Sequence, residues 1–86
     1  SKAMLAHYHQ FQEILKKESL TIMAIRVNPR HAWEVQLDGG TVIKLGQSQH
    51  RERLSKVVNA WTALNKGRTA PLAVVDTRYA NGIATK

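Results

Sequence analysis

Cysteine is absent from this chain of 86 residues, which excludes a disulfide framework and thiolate metal sites and fits cytosol and periplasm alike. Acidic residues are scarce: six Asp and Glu stand against thirteen Lys and Arg, a formal charge of +7 that attracts nucleic acid, anionic lipid or an acidic partner segment. Proline occurs twice and glycine five times, and no low-complexity tract, internal repeat or interdomain linker interrupts the chain. There is no glycine-rich phosphate loop and no Gly-x-Ser-x-Gly nucleophile turn. Nothing approaches the roughly 18 to 20 uncharged apolar residues of a membrane span. The start carries no charged region followed by an apolar one, so no secretory signal is expected in this segment.

What is present suits a single domain over residues 1–86. A chain this short buries a little over ~60% of its unfolded surface, so its stability margin is thin. Hydrophobic content of 43% is that of a folded domain. The basic residues, from Lys16 and Lys17 through Arg26, Arg30, Lys44, Arg51, Arg53, Lys56, Lys66 and Arg68 to Arg78, are dispersed, which reads as solvated faces and not as a disordered basic tail.

Residues 3–16 place Met4, Tyr8, Phe11 and Leu15 on one stripe, widened by Leu5 and Ile14, and predict an amphipathic helix ending near Lys17. From Leu20 to Val27 the pattern has period two, with Leu20, Ile22 and Ala24 on one face and Thr21, Met23, Ile25 and Val27 on the other. Both faces are largely apolar, which predicts a strand covered on both sides. Asn28-Pro29 stops it, because proline lacks the N–H a ladder needs. Trp33, Val35 and Leu37, then Ile43 and Leu45, form a β-hairpin turning at Asp38-Gly39. Ser48 is the expected N-cap of a second helix over about 49–65 with Leu54, Val57, Val58, Trp61 and Leu64 inward. Gly67 ends it, and Pro71 leads into a last strand, Leu72 to Val75. The expectation is an α+β fold in the order α-β-β-β-α-β, a mostly antiparallel sheet with two helices packed on one face.

Catalytic groupings are missing. His7 and His9, two apart on a helix, diverge and cannot share a metal. His31 and His50 have no local acid or thiol group to complete a site, and all four histidines read as exposed or structural. Asp76 is the only acid on an expected strand with a stable apolar context, in a structural or orienting role. Trp33 and Trp61 lie in phase with apolar residues, as core rings do, and so are not offered for base stacking. A basic nucleic-acid-binding α+β module remains the alternative to a protein-interaction module.

The end of the chain carries the most information. Val74-Val75-Asp76 runs into Arg78-Tyr79 and then Asn81-Gly82, a dipeptide that accepts the positive φ of a tight turn. Locally this is either an ordinary final hairpin or a sheet edge able to take another chain, with a guanidinium fork and an amphipathic ring beside it. Arg30-His31-Ala32-Trp33-Glu34-Val35-Gln36-Leu37-Asp38-Gly39-Gly40, Ile43-Lys44-Leu45-Gly46, Glu52-Arg53-Leu54 and Val75-Asp76-Thr77-Arg78-Tyr79-Ala80-Asn81-Gly82-Ile83-Ala84 together resemble the β domain of the FtsQ family of bacterial cell-division proteins. The Asp-x-Arg-Tyr-x-Asn-Gly block is closer to the proteobacterial members than to the Gram-positive DivIB relatives.

The resemblance implies a periplasmic fragment at the division septum, without the cytoplasmic tail, the inner-membrane span, the POTRA domain and the first strands of the β domain. It implies a non-enzymatic scaffold of the divisome that uses no cofactor or metal and binds the proteins FtsB and FtsL by strand addition at an exposed C-terminal edge strand. By position it assigns Arg78, Tyr79, Ala80, Asn81, Gly82 and Ile83 to the edge-strand site, and Arg30 to a second basic position facing an acidic residue of the partner. On that reading the +7 charge favours an acidic partner segment. Thr77 stands where family members carry Leu or Met, so looser inner packing is expected there. Ala80 replaces a Pro or acidic residue, and the chain ends at Lys86, before an aromatic continuation that contacts the partner in many relatives.

Overall fold

A computed structural model describes residues 2–67, 69–70, 72–78 and 82–85, with backbone alone for residues 2–4. Helix α1 spans Lys2–Leu15 and runs into a 3₁₀ turn at Lys16–Glu18. Ser19, in the left-handed region, closes it by donating its N–H to the Lys16 carbonyl, and Lys16 and Lys17 fall in the last turn, where positive charge suits the helix dipole. The buried face is not the expected stripe. Phe11 and Leu15 are fully buried, but Tyr8 is 37% and Leu5 58% exposed, and the place one turn before Phe11 is taken by His7, whose ring lies 5.9 Å from that of Phe11. Met4's side chain lies outside the described residues.

The strands are β1 (Ile22–Val27), β2 (Trp33–Leu37), β3 (Val42–Gly46), β4 (Val74–Asp76) and β5 (Ala84–Thr85), and the sheet order follows the chain, β1-β2-β3-β4-β5. The β1–β2, β2–β3 and β4–β5 pairs are antiparallel and β3–β4 is parallel, since a helical segment returns the chain between β3 and β4. That segment is broken: α2 covers His50–Asn59 and α3 covers Trp61–Asn65, with Ala60 between them at φ −96°, ψ 1°. Asn59, a weak helix former, is the sequence signal for the break. Ser48 does not cap α2; Gln49 holds the cap position with a left-handed backbone and no side-chain bond. Gly67 ends the segment with a positive φ of 76°, as expected.

Strand β1 departs from strict alternation. Its register against β2 shifts between Ile22 and Ala24, so that Ile22 pairs with Leu37 and Ile25 with Val35. The bulge turns both isoleucines toward the helices, although they are three positions apart, and leaves Met23 61% exposed. β1 is therefore an edge strand with a solvated outer face, not a strand covered on both sides. The core joins Phe11 and Leu15 to Ile22, Val35, Leu37, Ile43, Leu45, Leu54, Val57, Val58, Leu72 and Val75, with Ile14, Ile25, Trp33, Trp61, Leu64 and Ile83 packed against it. Gln12 fastens α1 to this sheet: its Nε2 donates to the Leu20 carbonyl at 2.9 Å, and its Oε1 accepts from the Ile22 N–H at 3.1 Å.

On the opposite face one rung crosses four strands with alternating charge, Arg26 beside Glu34, Glu34 beside Lys44 and Lys44 beside Asp76. Opposite charges on adjacent strands favour this register over a slip.

Candidate partner-binding site

Strand β4 is not the edge. Val75 pairs with Thr85 and Asp76 with Ala84, so the chain leaves β4 at Thr77, passes through Arg78 and returns as β5, which closes the sheet order on that side. Among the described residues no strand pairs with the outer side of β5. Arg78 thus belongs to the connection between the last two strands, and Gly82 and Ile83 lead into β5, half-buried. Tyr79, Ala80 and Asn81 lie outside the described residues.

Asp76 organises this connection. Its Oδ1 accepts from the Arg78 backbone N–H at 3.0 Å and from Arg78 Nε at 2.9 Å, while Oδ2 accepts from Arg78 Nη2 at 2.7 Å. Such a two-point fork fixes the guanidinium plane as well as its position. Arg78's hydrogen bonds hold the Asp76 carboxyl below its ordinary value of 3.8 against the opposing effect of burial, and the charges of Arg78 and Lys44 lower it further. Thr77, between them, is 2% exposed. Its N–H and its hydroxyl both donate to the Lys44 carbonyl, at 3.0 and 2.7 Å. The expectation of loose packing at Thr77 is thereby overturned, because the hydroxyl bonds β3 in a way that Leu or Met cannot.

Arg30 reaches the same end of the sheet from the β1–β2 corner. Asn28 builds that corner: its Oδ1 accepts from the N–H groups of Arg30 and Ala32 at 2.8 and 3.0 Å. His31 takes a positive φ of 62°. Gln47 Nε2 donates to the Arg30 carbonyl at 2.7 Å, tying the corner to the β3–α2 turn. The result is a recess of about 340 Å³ whose walls include Asn28, Arg30, Gly46, Gln47, Arg53 and Arg78. Arg30 and Arg78 both line this recess.

The sequence reading missed Gly46, Arg53, Asn28 and Gln47. Gly46 was legible only as the end of a strand; its φ is 78°, and a β-carbon there would stand 2.6 Å from Arg53 Nη1 and 3.2 Å from Arg78 Cγ. Arg53 was grouped with the solvated helix residues, although it lies one turn before the buried Val57.

Trp33 packs beside this region, its ring centroid 4.6 Å from His7, 4.9 Å from His50 and 6.0 Å from Phe11. His50 Nε2 donates to the Gly46 carbonyl at 3.0 Å. Desolvation lowers the His50 pKa below 6.5, with repulsion from His7 and Arg53 adding to it and the Gly46 bond opposing it. No group of three His, Asp or Glu suited to a metal occurs among the described residues. None of the described helices is long and apolar enough to cross a membrane.

Residues 1–78 match the family described as "Cell division protein FtsQ/DivIB, C-terminal". The chain belongs to the FtsQ/DivIB family. It is 34% identical over 86 residues to the cell division protein FtsQ of Neisseria gonorrhoeae, an alignment covering 100% of this chain and 36% of that protein. With FtsQ of Shewanella oneidensis it shares 33% identity over 81 residues, 94% of this chain and 30% of the relative. FtsQ of Methylomonas methanica is 34% identical over 71 residues, 83% of the chain and 28% of the relative. The chain therefore spans about a third of the length of these FtsQ proteins. The family match stops at Arg78, whereas the N. gonorrhoeae FtsQ alignment takes in all 86 residues.

Proposed function

We propose that this chain is a non-catalytic docking module of the bacterial divisome, part of a periplasmic β domain, that binds FtsB and FtsL by taking a partner segment as an added strand along β5. The observation that carries this reading is the position of β5. It pairs on one side with β4, its other side is open among the described residues, and Ala84 and Thr85 are small exposed residues. Main-chain bonds supply adhesion in such a contact, and neighbouring side chains set register and specificity. Arg78, forked by Asp76, and Arg30 stand at the same end as charge-assisted donors for an acidic partner. Tyr79, Ala80, Asn81, Gly82 and Ile83 complete the proposed contact. The opposite edge, β1, is the one left for the earlier strands of the same domain, which the family resemblance places before this chain. The whole protein would be held at the inner membrane at the septum through its N-terminal part.

The test is a calorimetric titration with a periplasmic FtsB segment. Saturable binding that survives physiological salt supports the reading; binding to oligonucleotides with sequence preference, and none to FtsB, would replace it with the nucleic-acid alternative.

A further inference from the structure

The recess at Gly46 holds more cation than the family resemblance assigned to the site. Three arginines line it from three places in the fold: Arg30 from the β1–β2 corner, Arg53 from α2 and Arg78 from beyond β4. No carboxylate is among its described lining residues. Gathering three like charges is unfavourable unless each is held and an anion is met there.

Two of the three are visibly held. Arg53 Nη1 donates to the Leu45 carbonyl at 2.7 Å, and Asp76 grips Arg78 through Nε and Nη2. Both side chains close over the end of β3 at Gly46, where a β-carbon would stand only 2.6 Å from Arg53 Nη1. The glycine is thus what allows Arg53 to reach the recess. Arg53 itself is half-buried; its helix neighbours Arg51 and Lys56 are exposed and face a different, shallow surface with Glu52 and Asn59.

We propose that Arg53 is a third contact residue of the partner site, donating to an acidic side chain of the added segment, with Gly46 and the Leu45 carbonyl as its positioning groups. The inference rests on the docking function proposed above. A guanidinium anchored through one nitrogen keeps its remaining N–H groups for a planar carboxylate, and the fork geometry makes arginine, not lysine, the residue for that task.

The experiment compares full-length protein carrying Arg53→Gln, Arg53→Lys, Arg51→Gln or Arg78→Ala for affinity to a periplasmic FtsB segment. Each variant's fold is checked by thermal melting. Arg53→Gln should lose about tenfold or more in affinity, the size of one charge-assisted bond, and Arg53→Lys, which keeps the charge without the fork, should lose less. Arg51→Gln should bind as wild type. A second measurement needs no variant: phenylglyoxal modification of unaltered protein, read by mass spectrometry, should show Arg53 protected when the FtsB segment is present and Arg51 unchanged. If Arg78→Ala weakens binding while Arg53→Gln stays within twofold, or if Arg53 gains no protection, the third contact is wrong and the docking reading stands. If wild-type protein does not bind the segment at all, both fall.

Discussion

Asp76 and His50 have environments that make stability depend on pH. Asp76 has a folded pKa below its ordinary 3.8, so its fork to Arg78 contributes fully above that value, and the contribution is lost as pH falls through the folded value. Arg78's side chain is 50% exposed, so solvent reduces the ~1.5 to 3 kcal/mol of charged hydrogen bonds, and Asp76→Asn should cost about 1 kcal/mol at pH 7 and less at pH 2. Urea denaturation at the two pH values measures this. His50 is also depressed, below 6.5; a base that resists protonation in the fold stabilises it fully above 6.5 and loses that contribution as pH drops through its lower folded value. Melting curves should therefore fall between pH 7 and 5 in wild type and fall less in His50→Gln. On the proposed docking function, Arg78→Ala and Tyr79→Ala should each weaken FtsB binding by about 1.4 kcal/mol or more, as arginine and aromatic hot spots do, and Lys66→Ala should leave it unchanged in the same calorimetric assay.

Gln12 shows how elements are joined here, and it was not legible in advance. A glutamine on a helix flank reads as solvent-facing, yet its two polar atoms bond the entry to β1 on both sides. Gln12→Ala should cost about 1 to 2 kcal/mol, two ordinary hydrogen bonds, with hydrogen exchange accelerated first at residues 20–22. Trp33→Ala should cost about 3 kcal/mol, the lower end for deleted aromatics because the ring is only partly buried. Strands and helices with strong periodicity were legible: Trp33-Val35-Leu37 against Ile43-Leu45, the turn at Asp38-Gly39, and Leu54, Val57 and Val58 inward. Three features escaped because each depends on what lies across the fold. The β1 bulge is set by matching Ile22 and Ile25 to Leu37 and Val35, which strict alternation within one segment cannot show. Two-residue β5 has too little pattern to mark a strand, so the edge was assigned to residues before it. Gly46 matters only because Arg53 and Arg78, 7 and 32 positions later in the chain, close over it.

At the scale of the molecule the outer sheet face carries a rung with no net charge, Arg26, Glu34, Lys44 and Asp76, whereas Arg30, Arg53 and Arg78 line a cationic recess at one end of the sheet. A charge so placed speeds encounter with an acidic segment without demanding sequence-specific nucleic-acid contact. The central claim is that β5 is the edge that takes a partner strand. Hydrogen exchange of the protein, alone and saturated with a periplasmic FtsB segment, tests it most directly, because an added strand must protect amides on the edge it joins. The result predicted is new protection at residues 82–85 with β1 unchanged. Binding that leaves residues 82–85 exchanging as before, or that protects residues 22–27 instead, would contradict it.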